Sequence, residues 1–133
     1  MKTPTTRFRQ YKDLDLSLPV HPVTNDLVYL TNEDAIQRAL RNLILTNFYE
    51  KPFQPNIGSG VRQLLFEPLS AVLANTLHNV ITTLVEQHEK RVELMSIGVD
   101  VDSDNNGYEV TIQFLIVNQL QPIVVSIFLE RIR

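Results

Sequence analysis

The stretch that decides the fold is GVRQLLFEPLSAVLANTLHNVITTLVEQHEKRVEL, from Gly60 to Leu94. It opens with a short apolar segment and continues through a proline into a long amphipathic pattern. Apolar residues recur there every three to four positions, which predicts a helix of roughly 20 residues and about 30 Å. The pattern ends in the charged triplet Glu89-Lys90-Arg91, and a β-rich segment follows at once. In such an arrangement a rigid helix would carry a Glu/Arg pair to a fixed place, with strands that can pair directly after it.

Composition sets the class of protein. The chain has 133 residues, 44% of them hydrophobic and 20% charged, which is typical of one soluble globular domain. A formal net charge of −3 argues against a nucleic-acid partner. The absence of cysteine excludes disulfides, thiolate metal sites and a cysteine nucleophile. The first residues have no apolar segment of a signal peptide, and no apolar run approaches the roughly 20 residues of a membrane span. We therefore expect a protein made and folded in the cytosol, with no membrane partner.

The chain divides into an extended arm (residues 1–30), a helical part (31–90) and a β-sheet part (91–133). Three prolines and little periodicity characterise the arm. Within it, Leu14, Leu16 and Leu18 alternate with polar residues, a pattern typical of a strand-like ribbon. Two interpretations stay open for the arm: a ribbon that lies against a partner, or a tail ordered only by its own domain.

The helical part predicts two principal helices with a short one between them. The first is expected to begin with a capping box at Thr31 and to end near Thr46. A connector rich in proline and glycine follows, and we expect its aromatics to fix it to the helices: Phe48, Tyr49 and Phe53. A short helix is predicted over residues 61–66, and the long helix is predicted to have Pro68 in its first turn.

The β-sheet part has a hydrophobic period of two and predicts three antiparallel strands, so the fold class is α+β. Asn106-Gly107 is a tight-turn signal between the first two strands. The apolar faces are listed here in strand order: Met95, Ile97, Val99 and Val101; Tyr108, Val110, Ile112, Phe114 and Ile116; Ile123, Val125, Ile127 and Leu129. The third strand is also apolar on its second face, so another surface should cover it. An edge strand with so little blocking tends to pair with another chain.

The residues give little support to catalysis or metal binding. Asp102-Ser103-Asp104 opens a partial calcium-loop pattern, but strands flank it and Gln113 stands where the bidentate glutamate belongs, so a hairpin loop is expected. The three histidines share no ligand spacing. Glu50, Glu67 and Glu89 do not by themselves define the carboxylate pair of a glycosidase. We predict no catalytic residue, no metal and no cofactor.

The triplet Glu89-Lys90-Arg91 has two interpretations on residue chemistry alone. A solvated charge cluster at a helix C-terminus is the simpler one and is slightly favoured. In the other, Arg91 is a bidentate docking group for a partner, and Glu89 orients it.

From about Leu14 to the C-terminus, the chain resembles the small baseplate wedge proteins of contractile-tailed phages, type VI secretion and related injection machines. The motifs that carry the resemblance are Pro52-Phe53-x-Pro55-x-x-Gly58, Leu65-Phe66-Glu67 and a Glu-Pro-Arg signature after the long helix. In this chain Lys90 stands where the family has proline, and Glu89 and Arg91 match.

The resemblance implies a structural subunit of the tail baseplate in the virion, assembled in the host cytoplasm. Glu89, Lys90 and Arg91 would contact the helical core bundle of larger wedge proteins. Residues 108–117 and 123–131 would offer a strand edge to the tail sheath protein and start sheath polymerisation by β-augmentation. The residues expected at this contact are Tyr108, Val110, Ile112, Phe114, Ile123, Val125, Ile127 and Leu129. Tail tube and hub proteins are further partners that the resemblance allows. Two alternatives remain: a lysozyme-like peptidoglycan hydrolase, a label that some members carry, and a generic oligomerising scaffold.

Overall fold

The structure is a computed structural model, which describes residues 12–14, 19–20, 22–26 and 29–133. Its elements in chain order are β1 (Lys12–Leu14), β2 (Tyr29–Thr31), α1 (Glu33–Leu45), α2 (Val61–Leu64), α3 (Ala71–His88), β3 (Val92–Asp102), β4 (Gly107–Ile116) and β5 (Ile123–Glu130). The predicted α+β class, with two principal helices, a short helix between them and a C-terminal three-stranded antiparallel sheet, is confirmed.

The described portion of the arm forms a small two-stranded ribbon. β1 pairs antiparallel with β2, so that Leu14 lies opposite Tyr29. Leu16 and Leu18, which completed the predicted leucine pattern, lie outside the described residues.

Both principal helices begin later than predicted. Asn32, not Thr31, is the N-cap of α1, so the predicted capping box does not start the helix. α3 begins at Ala71, because the Ser70 hydroxyl accepts a hydrogen bond from the Leu73 amide at 3.1 Å and satisfies one of the first free N–H groups. Pro68 therefore precedes the helix and is not in its first turn. The predicted end of α1 is confirmed, with Thr46 as the C-cap.

The sheet is a meander in the order β3-β4-β5, with β4 in the middle. The predicted hairpin is confirmed, because β3 and β4 pair up to Asp102 opposite Gly107. β4 also pairs along its other side with β5, from Gly107 opposite Glu130 to Phe114 opposite Ile123. The prediction that residues 108–117 offer a strand edge is therefore wrong for this fold, since both sides of β4 are already paired.

A bulge in β3 changes the predicted alternation at one point. The register shifts between Leu94, opposite Phe114, and Ser96, opposite Gln113, so Met95 is the extra residue. Met95 is half exposed as a result, and Leu94 takes the inward position in its place. The predicted inward positions of Ile97 and Val99 are confirmed.

The hydrophobic core lies between the helices and one face of the sheet. β4 provides its largest share, because five alternate side chains of this strand are almost completely buried: Tyr108, Val110, Ile112, Phe114 and Ile116. α1 contributes Ile36, Leu40 and Ile44, and α3 contributes Leu73, Ala74, Leu77, Ile81, Leu84 and Val85. Val72, in the first turn of α3, is exposed.

The connector between α1 and α2 is closed by hydrogen bonds and not by its aromatics. The buried Ser59 hydroxyl donates to the Ile44 carbonyl at 2.6 Å, and the Ser59 amide donates to the Thr46 carbonyl at 2.8 Å. Tyr49 and Phe53 are largely exposed and Phe48 is half exposed. The expectation that these three aromatic side chains fix the connector to the helices is therefore wrong.

Candidate partner-binding site

Glu89 and Arg91 form a bidentate ion pair at the point where α3 becomes β3. The Arg91 Nε lies 2.8 Å from Glu89 Oε1, and Nη2 donates to Oε2 at 2.8 Å. The Arg91 amide adds a third hydrogen bond to Oε1 at 3.2 Å. Two parallel N–H···O bonds fix the plane of the guanidinium, which a single contact would leave free to rotate.

The two partners of this ion pair differ in exposure. The Glu89 side chain is 9% exposed and that of Arg91 is 25% exposed. Glu89 therefore faces inward, and its carboxylate is engaged by Arg91. An incoming protein would meet Arg91, and Lys90, which is exposed.

The backbone restrains this segment even though Lys90 replaces the family proline. The Glu89 amide closes the last turn of α3 on the Val85 carbonyl at 3.0 Å. Two residues later, the Arg91 carbonyl accepts from the Val117 amide at 2.9 Å, which joins it to the sheet. The segment is therefore held at both ends by elements of the core.

A groove of about 440 Å³ runs from the connector along α3 as far as His88. The connector forms one wall with Phe48, Asn56 and the backbone around Ser59. α3 forms the other, from Asn79 to His88, the residue before Glu89. Sequence patterns did not reveal this groove, because it depends on where the connector folds.

The free edge of β5 can be assigned residue by residue. The Arg131 amide donates to the Asn106 carbonyl at 2.9 Å, so Arg131 faces β4. Backbone groups alternate sides along an antiparallel strand, so those of the odd residues from 123 to 129 also face β4. Those that point to the free edge belong to Val124, Ser126, Phe128 and Glu130.

The side chains of β5 separate in the same way. Val124 is 57% exposed and Phe128 is 44% exposed, on the face away from the helices. Ile127 and Leu129 are buried, and Ile123 and Val125 are partly buried against the core. The predicted contact set is therefore corrected: Tyr108, Val110, Ile112 and Phe114 of β4 and the odd residues of β5 form the domain's interior. The accessible positions are the even residues of β5.

The end of β5 is tied to the Leu65-Phe66-Glu67 segment that follows α2. The Ile132 amide donates to the Leu65 carbonyl at 2.9 Å, and Arg131 Nε donates to the Glu67 carbonyl at 3.0 Å. The triplet therefore has a structural role that its sequence did not indicate, because its carbonyl groups hold the end of β5. These hydrogen bonds position β5 relative to the helices, and no strand among the described residues pairs with its outer edge.

Two carboxyl groups have lowered pKa values because of local hydrogen bonds. The backbone amide and side-chain amide of Asn47 lower the pKa of Glu50, and Asn105 lowers that of Asp102. Both shifts favour the charged form, the opposite of what a glycosidase general acid requires. Within residues 12–14, 19–20, 22–26 and 29–133, acidic and histidine side chains form no cluster of three suited to a metal. No helix in those ranges is both apolar and long enough to cross a bilayer.

Comparison with known proteins decides the family. Residues 31–121 match the family described as baseplate wedge protein gp25. The chain belongs to this family. The resemblance to baseplate wedge proteins and the expected location in a contractile-tail baseplate are thereby confirmed. The matched range includes the connector, the three helices, the Glu89–Arg91 pair, β3 and β4.

Relatives of this gp25 family member include the baseplate wedge protein gp25 of Enterobacteria phage T4, which is 26% identical over 84 residues. That match spans 63% of this chain and 64% of the T4 protein. Among solved structures, a chain of the anti-feeding prophage baseplate is 21% identical with a TM-score of 0.71, covering 83% of this chain and 88% of that one. A putative tail lysozyme from Geobacter sulfurreducens is 19% identical with a TM-score of 0.62, covering 74% and 91%. These two structural likenesses show a shared fold.

Proposed function

We propose that this baseplate wedge subunit is a joint with two contacts. Arg91, oriented by Glu89, docks on the helical core bundle of larger wedge proteins. The outer edge of β5 accepts a strand of the tail sheath protein and so starts sheath polymerisation. Membership of the gp25 family supports the general role, a structural component of a contractile-tail baseplate.

The docking contact is supported by the orientation of the ion pair. Glu89 uses both carboxylate oxygens on Arg91, so the guanidinium is preorganised before a partner arrives. A preorganised arginine loses less side-chain freedom on binding than a mobile one. Exposed Lys90 adds a second positive charge, which favours a partner surface with carboxylates or helix C-terminal carbonyls.

The observation that carries the sheath contact is the open edge of β5. The backbone groups of four residues point outward there, beside the exposed apolar side chains of Val124 and Phe128. An added strand would satisfy those backbone groups and cover both side chains, which is how β-augmentation combines affinity with specificity. β3, the other edge strand, has a bulge at Met95, a feature that discourages pairing.

The test uses matched charge insertions at the two edges. We expect Val124→Lys combined with Phe128→Lys to leave the domain folded and incorporated into baseplates but to abolish sheath growth, seen by electron microscopy of assembling particles. Met95→Lys, an equally exposed change on β3, should leave sheath growth unchanged. Normal sheaths on the β5 variant would contradict the proposal.

The docking contact is tested separately with Arg91→Glu. This change should prevent recovery of the larger wedge proteins with a tagged subunit, while Lys90→Pro, which restores the family residue, should preserve it. Because Arg91→Glu also breaks the internal pair, circular dichroism must show that it folds. Normal incorporation of a folded Arg91→Glu variant would contradict this contact.

A hydrolase is the second candidate, since the Geobacter sulfurreducens structure with this fold is described as a putative tail lysozyme. It predicts cleavage of purified peptidoglycan by the isolated chain, lost on Glu67→Gln or Glu89→Gln. Cleavage by wild type but not by either variant would favour the hydrolase over the joint.

A further inference from the structure

The connector between α1 and α2 has an exposed aromatic tip, formed by Tyr49 and Phe53. The contacts proposed above, at Arg91 and at β5, do not explain why this tip has the conformation it has. Phe53 is fully exposed and Tyr49 is 82% exposed. Both residues also have positive φ angles, 63° for Phe53 and 66° for Tyr49. Bulky residues seldom adopt this left-handed backbone, and such outliers persist where the surrounding structure enforces them.

A network of local hydrogen bonds enforces the conformation. The Glu50 carboxylate accepts from the Asn47 amide at 3.0 Å and from Asn47 Nδ2 at 2.6 Å. The Tyr49 amide donates to the Pro55 carbonyl at 3.1 Å, which joins the two halves of the loop. The tip is therefore held by backbone hydrogen bonds together with the Asn47 and Glu50 side chains, while the rings of Tyr49 and Phe53 are exposed.

Gly58 fixes the base of the loop. A Cβ atom at this position would lie 2.6 Å from the Asn47 carbonyl carbon, and the φ angle of 154° is one that other residues rarely adopt. This close approach allows residues 47 and 59 to form a parallel bridge. The two ends of the connector meet at this bridge, so the loop is closed at its base. Ser59 joins that base to α1 through its hydrogen bond to the Ile44 carbonyl.

We propose that residues 47–59 form a preorganised aromatic anchor, whose Phe53 inserts into an apolar pocket rimmed by carboxylates on a neighbouring baseplate protein. Aromatic side chains that fill pockets dominate many protein interfaces, and a rigid loop loses little freedom on binding. Lys51 gives the cationic edge of the tip and makes no ion pair with any described residue. Glu50, in contrast, is occupied by Asn47 and adds no free carboxylate.

A protein partner fits these observations better than a membrane. Membrane-surface segments combine aromatics with several Lys or Arg residues, whereas the tip offers Lys51 beside Glu50 on a chain of net charge −3. The groove along α3 borders the base of the loop and reaches His88, the residue before Glu89. The inference rests on the proposed function in placing a baseplate protein beside this loop.

The first experiment separates anchoring from folding with Phe53→Asn. Asparagine accepts a left-handed backbone more readily than phenylalanine, so the melting temperature should stay the same or rise. Incorporation into purified particles should nevertheless fall by more than about tenfold, the effect of losing an interface hot spot. Leu120→Asn is the matched control, because Leu120 is equally exposed in a different loop. Wild-type incorporation of Phe53→Asn would overturn the proposal.

The second experiment identifies the pocket. A photo-crosslinking benzoylphenylalanine at position 53 should give one product with one baseplate protein, at a peptide that combines apolar and acidic residues. The same group at position 120 should not give that product. Equal, scattered products from both positions would overturn the anchor, as would flotation of purified wild type, but not Phe53→Asn, with anionic vesicles.

Failure of the anchor and failure of the joint are distinguishable. If Phe53→Asn is incorporated normally while Arg91→Glu is excluded, the anchor is wrong and the docking contact stands. If Phe53→Asn is excluded while folded Arg91→Glu is incorporated, the anchor stands and the docking contact is wrong.

Discussion

The two outer strands of the sheet, β3 and β5, occupy equivalent positions but differ in how readily a further strand could pair with them. β3 is interrupted by the bulge at Met95 and carries Glu93 and Asp100 on its exposed face. β5 is regular and exposes Val124 and Phe128. Natural sheets protect edges with bulges and charges. The exposed positions of β5 have no bulge and one charge, Glu130 at the last residue, which supports the proposal that a further strand pairs there.

The largest effect on stability should come from the inward side of β5. Ile127 is 2% exposed, so Ile127→Ala should lower the free energy of unfolding by about 2–5 kcal/mol through lost burial and the cavity left behind. Phe128→Ala, one residue away but half exposed, should cost far less in the isolated domain. Urea denaturation of both variants measures the contrast. Equal losses would mean that the two faces of β5 are not distinct.

The order of the two variants should reverse when sheath growth, not stability, is measured. Phe128→Ala removes apolar surface from the proposed sheath contact and should reduce sheath growth more than its small stability loss explains. Ile127→Ala should affect assembly only as far as it unfolds the domain, which can be checked at a temperature where both variants are folded.

A smaller effect is expected where β5 is tied to α2. Arg131→Ala removes the hydrogen bond from Nε to the Glu67 carbonyl and should lower the free energy of unfolding by about 0.5–1.5 kcal/mol. Arg133→Ala, at an exposed position, is the control and should have no effect. Urea midpoints with unchanged slopes give the measurement. A shift as large in Arg133→Ala would show that charge, not the hydrogen bond, is responsible.

Sequence patterns predicted the elements of this domain better than their relative positions. The spacing in α3 and the Asn106-Gly107 turn depend on neighbouring residues, and both were correct. Which strand lies in the middle depends on pairing between β4 and β5 along their whole length, so the sequence pattern of β4 alone does not show that both of its sides are paired. The bulge at Met95 has no local signature that distinguishes it from a continued alternation.

In the candidate site, too, one part could be predicted from neighbouring residues and another could not. Glu89 and Arg91 are two residues apart, and a helix end followed by a strand brings their side chains together, as the sequence indicated. The aromatic tip was missed because exposed aromatics in a proline-rich connector usually pack on their own domain. A signal was present in Asn47 and Glu50, three apart at the base of the loop, which is the spacing of a side-chain-closed turn.

The smallest expected effect concerns the hairpin that joins β3, the protected edge, to β4. The Asp102 carboxylate accepts from Asn105 Nδ2 at 2.7 Å and from the Asn105 and Asp104 amides at 3.1 Å, and these hydrogen bonds lower its pKa. A carboxyl group with a lowered pKa in the folded state stabilises the fold above its unfolded pKa, and this contribution is lost as the pH falls through the folded value. Because Asp102 is only partly buried, at the end of the hairpin, solvent screens the carboxylate and the effect should be slight. NMR titration should show an Asp102 pKa below the ordinary aspartate range, and Asn105→Ala should raise it towards that range. An unchanged value in Asn105→Ala would mean that the Asn105 side chain does not lower the pKa and that the Asp104 and Asn105 amides account for the shift.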